Sequence, residues 1–351
     1  MENFDSQMVR EAKYARNVAS AHYLLNPRVT LIDIGWRIKE TEDKKITKEL
    51  AVRVHLMHKP REAAFETFQA SNPNLVIEKE RIPFPVVDLV EANYPLQWSW
   101  WPTRSTDRRA QVFDPLQGGI SVSTAWSYGY GTLGGIVIDR ETGQPMILSN
   151  WHVLAESVYA PKGLSIYQPG YGDGGRSNHT VAHLERHAIL QGIDAAAATL
   201  TDQREWTNDQ LGIGSVTGVT APALGMQVIK SGRQSQITRG MVDGIGGDYP
   251  IRIGGYPRTI KHVHRIVPVT PDGEVSRAGD SGSWWLEEKT KKAAALHFAG
   301  SDFPELALAI AMPQVLEALN VELALKKETL SPELGAQREE TREAEREAIF
   351  A

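Results

Sequence analysis

The chain has 351 residues, 41% of them hydrophobic and 23% charged, and 38 Lys plus Arg against 43 Asp plus Glu give a formal charge of −5. Such values describe an ordinary globular protein with side chains enough for one large core and a smaller unit, and they exclude a disordered or fibrous chain. The lack of any cysteine excludes a disulfide framework, a thiol nucleophile, iron–sulfur clusters and thiolate-ligated zinc. The mildly acidic balance supplies no basic footprint, so no nucleic-acid partner is expected.

The N-terminus, Met1 to Gln7, is polar and acidic, and the charged stretch from Arg10 to Tyr23 replaces the apolar core that a secretory signal requires. No apolar run approaches the roughly eighteen residues of a membrane helix, so no membrane partner is expected. Both features, with the missing cysteines, fit a cytoplasmic location.

From Gln7 to about Leu25 the spacing of Val9, Tyr14, Val18, Tyr23 and Leu24 predicts a helix that Pro27 closes. Strands are predicted at Val29–Ile38, with an irregularity at Gly35, at Ala51–Met57 and at Ile82–Val90, with a short helix at Glu62–Gln69. Residues 1–105 thus read as an α+β leader domain with a regulatory or assembly role. Its last part carries Trp98, Trp100 and Trp101 beside Arg104, Arg108 and Arg109, an aromatic cluster suited to covering a seam between domains.

From Gly118 to Pro313 the texture changes to short β-rich runs separated by glycine-rich turns. Strands are predicted near residues 119–123, 134–138, 146–149, 195–200, 227–230, 239–242, 263–269, 283–286 and 293–298. This cadence favours a mainly β barrel or sandwich over a βαβ fold. A helix is predicted over Met312–Leu325. Residues 326–351 form a charged tail in which Glu339–Arg342 and Glu343–Arg346 are favourable i,i+3 pairs, compatible with a solvated helix.

Three segments carry the chemistry. Ser149-Asn150-Trp151-His152-Val153 runs a strand into a histidine, Gly192-Ile193-Asp194-Ala195-Ala196 places an acid before a small apolar strand, and Gly279-Asp280-Ser281-Gly282 flanks a serine with glycines. A serine hydroxyl attacks a carbonyl poorly until a base takes its proton, and imidazole has the basicity to take it and return it to a leaving amine. A carboxylate behind the ring holds its tautomer. The glycines let the N–H groups of Gly279 and Ser281 face one oxygen, where each such donor is worth roughly 3 kcal/mol to a developing oxyanion.

These segments, in this order, resemble those of the trypsin-like, chymotrypsin-fold serine proteases, over roughly Gly118 to Leu319. The resemblance implies two β-barrels over residues 106–325, a His152–Asp194–Ser281 triad, an oxyanion hole at Gly279 and Ser281, a protein or peptide substrate, and no cofactor or metal. It also implies a substrate pocket at Val275, Arg277, His297, Phe298 and Ala299. Valine at 275 suggests a small or apolar residue before the scissile bond, whereas Arg277, if it reaches inward, would favour an acid. Further segments, Ile34-Gly35-Trp36-Arg37-Ile38, Val52-Arg53-Val54-His55 and Gly131-Thr132-Leu133-Gly134-Gly135, resemble the plant NARROW LEAF 1-like proteins and their bacterial relatives. That group implies an intracellular setting and homo-oligomers.

Two departures from the protease pattern stand out. Ser283-Trp284 follows the nucleophile motif where Gly-Pro is frequent, and the chain lacks the disulfides and newly cleaved N-terminus that secreted members use to set the oxyanion loop. They leave open an alternative, a catalytically weak or inactive protease-like binding or assembly protein. An α/β-hydrolase would need Gly-x-Ser-x-Gly and nucleophile-first order, both absent. His179, His183 and His187, spaced by four, and the His262/His264 pair match no established metal-ligand motif, and the glycine runs match no nucleotide-binding fingerprint.

Overall fold

A computed structural model of the chain describes residues 6–40, 46–57, 77–97, 107–270, 272–302 and 305–325. The helix expected at Glu62–Gln69, Trp98, Trp100, Trp101, Arg104 and the charged tail lie outside the described residues. The architecture is mainly β with a helix near each end. Among the described residues no helix is long and apolar enough to cross a membrane.

Helix α1 (Ser6–Tyr23) leads into β1 (Val29–Glu40), β2 (Ile46–Leu56) and β3 (Val87–Glu91). The helix buries Ala12, Ala15, Ala19 and Tyr23 against Ile32, Ile34, Val52 and Val54, leaving Tyr14 exposed and Val9 and Val18 only half-buried. The buried stripe has the expected period but a different phase, because alanines let the helix axis approach the sheet closely.

Short strands follow: β4 (Leu116–Gly118), β5 (Ser121–Thr124), β6 (Gly131–Thr132), β7 (Gly135–Asp139) and β8 (Pro145–Ser149), which ends at helix α2 (Trp151–Leu154). Then come β9 (Ser165–Tyr167), β10 (Thr180–His187), β11 (Ala196–Leu200), β12 (Trp206–Gln210) and β13 (Gly214–Ser215). The last set is β14 (Gln227–Gly232), β15 (Gln236–Ile253), β16 (Tyr256–Pro268), β17 (Trp284–Glu287), β18 (Ala293–Asp302), β19 (Glu305–Ala311), helix α3 (Met312–Ala318) and β20 (Val321–Leu323). The segment expected as one helix over Met312–Leu325 therefore splits. Asn320 turns the chain at a positive φ of 50°, and Val321 and Leu323 then pair with β7 at the sheet edge.

Eight strands form one sheet in the order β20-β7-β8-β11-β10-β9-β5-β6, and nine form a second in the order β14-β17-β18-β19-β16-β15-β1-β2-β3. Because β14 pairs with β15 as well as with β17, six strands of the second sheet close into a ring. Val228, Val242, Ile266, Val275, Trp285, Ala295, Ala307 and Ala309 form one core cluster of that ring. The leader strands continue this sheet, since β1 pairs antiparallel with β15.

That junction is held by buried charge. Arg53 Nε and Nη2 donate to Asp33 Oδ1 and Oδ2 at 2.8 and 2.5 Å, and Nη1 reaches Asp243 Oδ2 on β15 at 3.2 Å. Gly35 makes room, because a Cβ there would lie 2.1 Å from Arg53 Cζ. Burial pushes the Asp33 carboxyl up, but Arg53 and His55 outweigh it and hold the group well below the usual carboxylate range. His55 Nε2 lies 3.0 Å from Asp33 Oδ1, and Tyr94 Oη lies 2.9 Å from His55 Nδ1. Burial pushes the His55 pKa down to about 4, so the ring is neutral, with Nε2–H on Asp33 and Nδ1 accepting from Tyr94. Tyr249 Oη donates to the Tyr94 carbonyl at 2.7 Å, which fixes the end of the leader against β15.

Removing one partner of a buried pair strands the other. Arg53→Met is expected to cost about 3–5 kcal/mol in denaturant unfolding, and a loss below about 1 kcal/mol, the range of exposed pairs, would contradict the role assigned to it.

Candidate active site

His152 lies on α2, directly after β8, and Asp194 lies two residues before β11. Those strands are neighbours, with Ala196 opposite Ser149, so both residues come to the same strand end. Asn150 Nδ2 donates to the Asp194 carbonyl at 2.8 Å, tying the two turns together. The Asp194 carboxylate accepts from the His152 backbone N–H at 3.2 Å and lies 2.5 Å from His152 Nδ1. A carboxylate can only accept there, so Nδ1 carries the proton and Nε2 is the basic nitrogen.

Ser281 lies in the turn before β17, packed on the same strand end. Gly282 has φ 98°, and a Cβ on it would lie 2.0 Å from Ser149 Oγ and 2.2 Å from the Thr132 carbonyl. A Cβ on Gly131 would meet both Val153, next to His152, at 2.5 Å and the Ser281 carbonyl at 3.0 Å. Thr132 fastens the turn, its N–H donating to the Ser281 carbonyl at 2.7 Å and its Oγ1 to the Gly279 carbonyl at 2.9 Å. Ser281 Oγ donates to the Phe298 carbonyl at 3.1 Å.

Between the glycines, Asp280 is wholly buried and points away into the protein. Lys230 Nζ on β14 donates to its Oδ2 at 2.8 Å, Gln234 and Ser235 N–H to Oδ1 at 2.9 and 3.0 Å, and Arg277 N–H to Oδ2 at 2.9 Å. Burial raises the carboxyl, but Lys230 and Ser235 overcome it and hold Asp280 well below the usual range; burial lowers the lysine more than Asp280 raises it. With Asp280 anchored, the N–H groups of Gly279 and Ser281 converge on one atom, the Gln97 carbonyl oxygen, at 2.7 and 3.2 Å.

The expected pocket residues are distributed unevenly. The Val275 side chain packs among Val228, Val242 and Trp285. Arg277 is turned to Glu305, at 2.8 Å, with Glu274 and Asp302 nearby. Phe298 and Ala299 lie on β18 beside Ser281, and buried His297 places Nε2 2.7 Å from Gln97 Oε1. Among the described residues no group of three or more His, Asp or Glu could hold a metal ion. His183 and His187 do share β10, His183 being exposed. Sequence reasoning missed Lys230, whose partner is fifty positions away, and Gln97, which sits in an irregular segment with no motif.

No protein-family model and no curated protein matches the chain. Among solved structures it is similar to a Nocardiopsis protease, with 18% identity and a TM-score of 0.45 over 60% of this chain and 98% of that one. It is also similar to Thermobifida fusca protease A, with 16% identity and a TM-score of 0.44 over 59% and 97% of the two chains. A Cellulomonas bogoriensis chymotrypsin is similar at 15% identity and a TM-score of 0.43, over 59% and 97%.

The buried charges and histidines give two expected outcomes. Lys230→Met strands Asp280 and is expected to cost about 3–5 kcal/mol and to speed amide hydrogen exchange at Gly279 and Ser281; unchanged exchange there would contradict the anchoring role. Burial lowers His55 to about 4 and His264 and His297 to about 3. Below about pH 6.5 the unfolded chain therefore takes up protons that the folded chain refuses, so stability present above that pH is lost as pH falls toward 3–4. Each histidine contributes about 1.4 kcal/mol per pH unit inside that window. Denaturant melts at pH 7, 6 and 5 check this, and a flat profile would contradict it.

Proposed function

We propose that the chain is a serine endopeptidase of the two-barrel, trypsin-like type, in which Ser281 is the nucleophile, His152 the general base and Asp194 the carboxylate that orients it. The observation that carries the proposal is the pair of N–H donors from Gly279 and Ser281 meeting on a single carbonyl oxygen, beside a histidine hydrogen-bonded to a buried carboxylate. Donors aimed at one oxygen stabilise the negative charge of a tetrahedral intermediate. Ser281 Oγ attacks the peptide carbonyl as His152 Nε2 takes its proton, Asp194 stabilises the imidazolium, and the proton passes to the departing amine. Water, deprotonated by His152, then releases the acyl group. For attack, the hydroxyl must leave the Phe298 carbonyl, to which it donates at 3.1 Å, and turn toward His152.

In this scheme residues 106–325 are the protease domain and 1–105 a leader that governs access to it. The closer likeness to NARROW LEAF 1-like proteins, with its intracellular and oligomeric setting, rests on the Ile34–Ile38, Val52–His55 and Gly131–Gly135 motifs. The rival, a protease-like binding protein, is favoured by the hydroxyl's present bond to Phe298 and by the filled oxyanion position.

A fluorophosphonate probe separates the two. Labelling that maps to Ser281, vanishes in Ser281→Ala and slows about 10⁴-fold in Asp194→Asn, where the imidazole takes the wrong tautomer, is expected. A wild type inert to the probe would favour the binding protein.

A further inference from the structure

The segment from Tyr94 to Gln97 lies along β18 and makes an isolated antiparallel bridge to it. Leu96 pairs with Ala299. The Gln97 N–H donates to the Phe298 carbonyl at 3.2 Å, and the Gly300 N–H donates to the Pro95 carbonyl at 3.1 Å. An extended peptide bound to a sheet edge is held by such alternate main-chain bonds, with its side chains sorted into pockets. Here the Gln97 carbonyl lies between the N–H groups of Gly279 and Ser281, where a scissile carbonyl belongs. Leu96, one residue before it, lines a cavity of about 610 Å³ with Trp151, His152 and Ile253.

The Gln97 side chain is buried and specifically received. Its Oε1 lies 2.7 Å from His297 Nε2. It passes over Gly300, where a Cβ would come within 2.6 Å of Nε2 and 2.8 Å of Cδ. Burial keeps His297 neutral, so it offers one N–H and no charge. Lys230, whose charge acts on His297, is already matched by Asp280. A primary amide fits such a pocket, whereas a carboxylate would be buried without a counter-charge.

We infer that the peptidase cleaves on the carboxyl side of glutamine, and that its first substrate is its own Gln97–Trp98 bond. The inference rests on Ser281 being the nucleophile of the proposed endopeptidase. Ser281 Oγ forms an ester with the Gln97 carbonyl carbon as the C–N bond to Trp98 breaks, and the hydroxyl proton travels through His152 to the Trp98 nitrogen. Water then adds its hydroxyl to the acyl carbon, and its remaining proton returns through His152 to Ser281. The products are residues 1–97, ending in a glutamine carboxylate, and residues 98–351, beginning with a free Trp98 amine. Until the first product leaves, it fills the cleft that other substrates need.

The test incubates purified full-length protein and follows it by intact mass and N-terminal sequencing, beside Ser281→Ala and Gln97→Ala. Peptides with Tyr-Pro-Leu followed by Gln, Glu, Phe or Arg and a fluorogenic amide are then offered to the wild type. A new Trp98 N-terminus in the wild type, absent in Ser281→Ala and slowed at least roughly a hundredfold in Gln97→Ala, is expected, with the glutamine peptide preferred by a similar factor, because a site built to hydrogen-bond one group rejects analogues that lack it, by up to about 10⁴–10⁵-fold. An intact wild-type chain that still labels at Ser281 with fluorophosphonate would overturn self-cleavage while leaving the hydrolase proposal standing. Equal turnover of the Glu or Phe peptide would overturn the glutamine assignment. Neither labelling nor cleavage would overturn both.

Discussion

The buried ion pair between Lys230 and Asp280 is the contact on which the site depends. Asp280 sits between Gly279 and Ser281, and its carboxylate is tied to Lys230 Nζ, Ser235 and three backbone N–H groups. An ion so far from water is tolerated only when its lone pairs are fully met, and any arrangement that released Asp280 would leave two charges in an apolar setting. The direction of the Gly279 and Ser281 N–H groups is thus enforced by an internal lysine on a neighbouring strand. In the proposed peptidase this contact would take the part that a newly formed N-terminal amine plays in secreted proteases.

The rest of the fold brings the other parts to that loop. The six-stranded ring carries Lys230 and Ser281, and the eight-stranded sheet carries His152 and Asp194 at one end of adjacent strands. Thr132 and Ser149, on the second of these sheets, meet the turn around Gly282. The Arg53–Asp33–His55–Tyr94 network, built at the β1–β15 junction, fixes Tyr94, and three residues later the chain delivers Gln97 to the N–H pair. The β1–β15 junction and the N–H pair are therefore joined by a short length of backbone.

Local motifs were legible in the sequence and long-range partnerships were not. Gly279-Asp280-Ser281-Gly282, the strand running into His152 and the acid before Ala195 stand out because each is a compact local run, and pairing of Ala196 with Ser149 brings the last two to one strand end. The mainly β character followed from glycine-rich turns at short intervals. Lys230 was invisible because a lysine within Gln227-Val228-Ile229-Lys230 looks like any strand residue facing solvent, and only the tertiary fold reveals the carboxylate opposite. Gln97 was hidden by tryptophans that drew attention to the residues after it. Strand β19 was hidden for a different reason: Glu305–Ala311 alternates too little polarity to separate a strand buried on both faces from a helix. The helix expected to run to Leu325 ended early because pairing with β7 satisfied backbone groups that helical continuation would also have satisfied.

The central claim is that Ser281, His152 and the two N–H donors act on a single carbonyl. It is tested most directly by a crystal structure of the full-length protein reacted with a peptide boronic acid whose last residue mimics glutamine. The account predicts a bond from Ser281 Oγ to boron, one boron-bound oxygen within hydrogen-bonding distance of Gly279 and Ser281 N–H, His152 Nε2 facing the adduct, and Gln97 displaced. A boronate bound elsewhere, or an adduct whose oxygens miss both N–H groups, would contradict it.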